Sequence, residues 1–120
     1  MSGRQDQGVR QIHPKSLALI GDEACLEMLA LARDLRSGAV PPEDYNQTRL
    51  GYRCGASCCI AGHLRRRLSW ETYAKIRGGW VACDNGIVDL FASYHPSDPH
   101  LAADAIERFV FDCSDEPWKV

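Results

Sequence analysis

Apolar positions recur at steps of three and four along most of this 120-residue chain. Between Asp22 and Ser37, the residues Cys25, Met28, Leu29, Ala32 and Leu35 mark one helical face, and Leu26 and Leu31 widen it. Gly38 supplies the left-handed turn that ends this helix, and Pro41-Pro42 stops any continuation. The pattern predicts a second helix over 55–68, with Ala56, Cys59, Ile60, His63 and Leu64 on one band. A third runs over 70–77, headed by Ser69 and ended by Gly78-Gly79. The last begins near Pro99, is capped by Ser97 or Asp98, and buries Leu101, Ala102, Ala105, Ile106, Phe109 and Val110.

Residues 80–91 admit two readings. Asp84-Asn85-Gly86 turns a short β-hairpin between 80–83 and 87–91, or a loop there leads into a short helix. Residues 1–13 are polar and aperiodic and read as a flexible tail; residues 14–120 read as a single helical domain. The expected fold is mainly α, a small orthogonal helical assembly.

Composition narrows the function classes. Apolar residues make up 45% of the chain and charged residues 25%, an ordinary globular balance that argues against disorder. The formal net charge is -2, with seven basic against seven acidic residues in the first half and seven against nine in the second. No strong field for nucleic acid follows from that balance. No apolar run is long enough to cross a bilayer and the N-terminus lacks a signal-peptide core, so the chain reads as cytoplasmic. In that compartment its six cysteines are thiols, ligands or core residues rather than disulfides.

Three of those cysteines crowd into Cys54-Gly55-Ala56-Ser57-Cys58-Cys59-Ile60-Ala61-Gly62-His63. On a helix Cys59 and His63 share a side, so a thiol can meet an imidazole. A catalytic reading takes Cys54, Cys58 or Cys59 as nucleophile and His63 as base, oriented by Asp84 or Asn85. Cys54 is favoured by a helix N-terminus and Cys59 by His63, so the two requirements point at different residues. A structural-zinc reading needs Cys54, Cys59 and His63 joined by a distant ligand such as Cys83, all converging at about 2.0 to 2.3 Å. The packing reading is favoured over both. Cysteine packs as a small hydrophobe, and Gly55, Ala56, Ser57, Ala61 and Gly62 make a slim helix that neighbours can enclose. No cofactor is expected.

The same ten residues resemble the Cys-Gly-Thr-x-x-Cys-x-x-Gly-His segment of small uncharacterised proteins from bacteria and their phages. Cys54, Gly55, Cys59, Gly62 and His63 match, and Ala56 replaces the usual threonine. A helix from about Pro99 carrying Ala102, Ala103, Ile106 and Phe109 resembles the end of those proteins. The resemblance implies a recurring fold and brings no chemistry with it.

Elsewhere, Arg65-Arg66-Arg67 spreads around its helix, so Arg66 and its neighbours form no single phosphate stripe. Trp70, Tyr73 and Trp80 either line a recognition surface or fill the core, and the core is favoured. Trp118 anchors an acidic tail of Asp112, Asp115 and Glu116. The favoured function is a small noncatalytic protein that binds another protein or self-associates. The alternatives are a cysteine/histidine-dependent hydrolase or transferase, and a structural-zinc module.

Overall fold

The computed structural model describes residues 10–45, 59–81, 85–92 and 98–119. Six α-helices lie in them: α1 (Pro14–Ile20), α2 (Asp22–Ser37), α3 (Ile60–Arg67), α4 (Trp70–Val81), α5 (Asn85–Ala92) and α6 (Pro99–Asp112), with a 3-10 turn at Pro42–Asp44. There is no β-sheet among the described residues. The domain is mainly α, as the periodicity predicts.

α2 is the central element, touching α1, α3, α4 and, most extensively, α6. The two long helices run antiparallel. Arg36 in the last turn of α2 pairs with Asp104 and Glu107 in the middle of α6. At the other end Cys25 lies close enough to Cys113, just past α6, to be influenced by its charge. Between them sit Met28, Leu31, Ile106 and Phe109, all essentially closed to solvent. Burying each such side chain contributes about 1.5–3 kcal/mol.

Local chemistry explains the helix ends. Pro14 opens α1, and the His13 ring accepts the Lys15 amide at 3.0 Å. Gly21 alone separates α1 from α2; its φ of 89° strains any residue with a Cβ. The Ser69 hydroxyl accepts the Thr72 amide at 3.1 Å ahead of α4. Asp98 caps α6 by accepting the amides of His100 and Leu101.

Several expectations need correction. Leu26 does not widen the buried face of α2; it is 54% exposed, because it points away from the side shared by Ala24, Met28 and Leu31. Leu101 likewise stands at the edge of α6, and Ala103 takes its place inside. Gly78-Gly79 does not end α4, which continues to Val81. Two glycines cost about 2 kcal/mol in a helix, an amount that tertiary contacts readily offset. Of the two readings of 80–91 the short helix stands and the hairpin falls: 80–81 end α4, Asn85–Ala92 form α5, and 82–84 lie outside the described residues. In a strand, Asp89 would share a face with Ile87 and Phe91; in a helix, Ile87, Leu90 and Phe91 turn inward together and Asp89 stands aside.

The start of the chain is also partly tied down. Arg10 pairs with Asp112 at 2.6 Å, and its guanidinium lies 4.4 Å from the Phe111 ring centroid. The His13 amide donates to the Val110 carbonyl. Residues 10–13, read as part of the tail, therefore run along α6.

Gly78 is exposed, and a Cβ there would meet nothing within 4 Å. Gly78→Ala is therefore expected to raise stability by about 0.5–1 kcal/mol. A urea midpoint at or below that of the parent chain would contradict this.

Candidate functional site

Two places offer chemistry: the turn at Cys59 to His63, and the surface where α3 meets α4. The first is closed. Helix α3 begins at Ile60, and Cys59 is its N-cap with extended backbone. The predicted helix over 55–68 is thus interrupted at Cys59, and residues 55–58 lie outside the described ones. Cys59 is not deep inside the helix but at its head, so the helix end and His63 now favour the same cysteine. Cys59, Ile60, Ala61, Gly62, His63 and Leu64 are all buried. Ala61 and Gly62 keep this segment thin enough to be enclosed on every side.

The His63 ring is committed to the backbone. Its Nε2–H donates to the Asp44 carbonyl at 2.8 Å, tying α3 to the Pro42–Asp44 turn. No described thiol hydrogen-bonds the ring. Burial lowers the imidazole pKa below its ordinary value; the Asp44 hydrogen bond opposes this, while Arg66 and Arg67 add to it. Beside it, burial and then Cys59 push the Tyr45 hydroxyl far above its usual range.

A pH dependence follows. The folded state takes up a proton at His63 less readily than the unfolded chain does. This contribution is complete above about pH 6.5 and is lost as pH falls below that value through the lower folded pKa. The urea midpoint is expected to drop between pH 7 and 5, and the drop to shrink in His63→Gln. An unchanged slope in the variant would contradict the assignment.

Of the residues singled out for catalysis or zinc, only Cys59 and His63 are described; Cys54, Cys58 and Cys83 lie outside the described residues, as does the orienting candidate Asp84. Asn85 opens α5, its side chain outside the described ones. Among the described residues no group of three or more His, Cys, Asp or Glu side chains is placed to hold a metal ion. Among the described residues, two open hollows mark the surface. One, of about 270 Å³, is lined by Asp89, Glu116, Trp118 and Lys119; the other, of about 560 Å³, by Lys15, Ala18, Leu19, Cys113 and Asp115. Neither touches Cys59 or His63.

Thiol reactivity reads out this closure. Burial, followed by Asp22 and Cys113, pushes the Cys25 thiol up to about 11. Cys59 is shut from solvent, while Cys113 is partly open. At about pH 8, iodoacetamide is expected to modify Cys113 at least about 100-fold faster than Cys25 or Cys59. Peptide mass spectrometry checks this; rapid modification of Cys59 in folded protein would revive the nucleophile.

The second place is open. Trp70, at the head of α4, is 54% exposed. The Arg65 guanidinium lies 4.8 Å from its ring centroid and 5.7 Å from that of Tyr73, and Arg77 lies 5.8 Å from the indole. The two rings are 6.1 Å apart and tilted by 35°. Tyr73 is buried and belongs to the core, as expected for it; Trp70 does not. Trp80 lies in α4, its side chain outside the described ones.

The three consecutive arginines diverge as their spacing predicts. Arg67 reaches α2 and pairs with Asp34 at 2.9 Å and Glu27 at 3.6 Å. Arg65 turns to the aromatic rings, and Arg66 is exposed. Trp70 and Arg77, seven apart, share a face of α4 by spacing, but Arg65 reaches the indole from α3 across the break at Leu68-Ser69, which no spacing predicts. Comparison with protein-family models, curated proteins and solved structures returns no match.

Proposed function

We propose that this chain is a small noncatalytic domain that binds another protein, and that it does so through the α3–α4 junction. One observation carries this reading: an indole more than half open to water has two guanidinium groups over its ring, 4.8 and 5.8 Å from the centroid. Tryptophan and arginine are the side chains that most often dominate binding energy at protein interfaces. Trp70 is costly to leave exposed, and arginine stacking holds it ready without hiding it.

The hydrolase or transferase reading has less support, because its described members are enclosed and His63 is engaged by a backbone carbonyl. Self-association of this face with its own copy is disfavoured by the arginines that each copy would bring. A cytoplasmic setting is in keeping with Cys25 and Cys113, which remain thiols. No helix among the described residues is long and apolar enough to cross a membrane.

Ala74 is exposed one helical turn beyond Trp70. A photo-crosslinker there, introduced in the cells that make the chain, is expected to yield a discrete protein adduct that Trp70→Ala abolishes. The same group at exposed Ala39 is expected to give none. An adduct at twice the chain mass would assign self-association instead, and no Trp70-dependent adduct would remove the reading.

A further inference from the structure

The charge around Trp70 specifies more than a binding face, if the protein-binding reading above holds. Residues 65–77 carry five of the chain's 14 basic residues and one of its 16 acidic ones. The rest of the chain holds nine basic residues against fifteen acidic, a net charge of -6. A basic stretch thus lies at the α3–α4 junction of a chain whose remainder is net acidic.

Not all of that charge is available. Arg67 is neutralised by Asp34 and Glu27. Lys75 extends across to Gly21, whose added Cβ would lie 3.7 Å from the ammonium nitrogen. Among the described residues no carboxylate pairs with Arg65, Arg66 or Arg77. Among the described residues, the two guanidinium groups over the exposed indole, Arg65 and Arg77, therefore keep their charge uncompensated.

Their posture matters. A guanidinium stacked on an aromatic ring uses its flat face, and its in-plane N–H groups still point outward as a fork. A carboxylate fits that fork with two parallel hydrogen bonds. The open part of the indole asks for an apolar side chain beside the carboxylate. We propose that the Arg65–Trp70–Arg77 face docks a short acidic protein segment, with carboxylates on the outer edges of Arg65 and Arg77 and an adjoining aliphatic side chain on the indole. A long polyanion such as single-stranded nucleic acid would gain contacts to only a few phosphates here, and beyond them would meet the net negative remainder of the molecule. A short segment avoids that repulsion.

The test uses the full chain and a fluorescein-labelled peptide of roughly twelve residues alternating Glu, Asp and Leu, read by fluorescence anisotropy. Saturable binding is expected, weakening as salt rises from about 50 to about 300 mM. Trp70→Ala and the double change Arg65→Gln with Arg77→Gln are each expected to weaken it about tenfold or more. Asp115→Asn, at an exposed position in the C-terminal segment, is expected to stay within about twofold. Circular dichroism confirms that each variant folds; Arg77→Glu, at an exposed position beside the indole, gives a second route to the same loss should Trp70→Ala unfold.

Absence of saturation, equal binding of a lysine-rich peptide of the same length, or tighter binding of an oligothymidylate would overturn the proposal. A Trp70-dependent protein adduct through position 74 without peptide binding would overturn the acidic class alone and leave the protein-binding reading in place.

Discussion

Phe109→Ala is expected to lower the unfolding free energy by about 3–5 kcal/mol, the largest single effect in this domain. Phe109 is 1% exposed and sits on the inner face of α6. Its backbone is pinned as well. The carbonyl accepts the buried Ser16 hydroxyl at 2.9 Å and the Cys113 amide at 3.0 Å, so α1 and the end of α6 converge there. With the backbone held, α6 cannot shift inward to fill the space left by the ring. The deficit is then a cavity as well as a lost transfer term. Small domains are stable by about 5–15 kcal/mol, so the variant would retain only part of its margin. Urea unfolding monitored by circular dichroism measures it. Leu101→Ala, on the same helix but 42% exposed, is expected to cost less than about 1 kcal/mol. Similar losses at the two positions would contradict the inward face of α6 described above.

Gly86→Ala acts on the same contact from the other side and is expected to cost about 1–3 kcal/mol. A Cβ at Gly86 would lie 2.6 Å from the Ser114 carbonyl oxygen and 3.1 Å from two carbons of the Phe109 ring. The ring has somewhere to move only if its neighbours yield; the carbonyl belongs to the backbone just after α6 and yields less. The two obstacles can be separated. In a Phe109→Ala background the ring is gone and the carbonyl remains, so the cost of Gly86→Ala should shrink without vanishing. The double-mutant cycle should therefore be non-additive by about 0.5 kcal/mol or more. Strict additivity would mean that the ring plays no part, and a neutral Gly86→Ala would mean that α5 does not press on α6 at this point.

The helices were legible where the apolar period was long and their ends carried chemistry. α2 occupies Asp22–Ser37 as predicted, with Gly38 left-handed beyond it. α6 begins at Pro99 under the Asp98 cap. Trp118 anchors the end of the chain, its indole N–H donating to the Leu90 carbonyl at 3.4 Å. Short elements were less legible. Ile87 to Phe91 is apolar enough for either a strand or a buried helix, and only its packing against α6 separates them. Gly78-Gly79 carries a local stop signal that the fold overrides. Leu26 and Leu101 look like core residues in one dimension and stand at helix edges in three.

The candidate site divides in the same way. The close nesting of Ala61 and Gly62 was readable from side-chain size, and their burial follows. The role of Cys59 was not, because a cap is defined by where the helix begins, and no residue before it announces that start. Nor could spacing tell that His63 would meet Asp44, nineteen positions earlier.

By itself, then, the order of residues determined the helical class, the main inward faces and most caps, since these depend on neighbours within one or two turns. Which arginines would find acids was decided only when the helices packed. Arg67 faces α2 and is neutralised there, whereas half-buried Arg65 and exposed Arg77 gather at Trp70. Charge pairing depends on through-space distance, and the distances across a helix junction do not exist until the chain has folded.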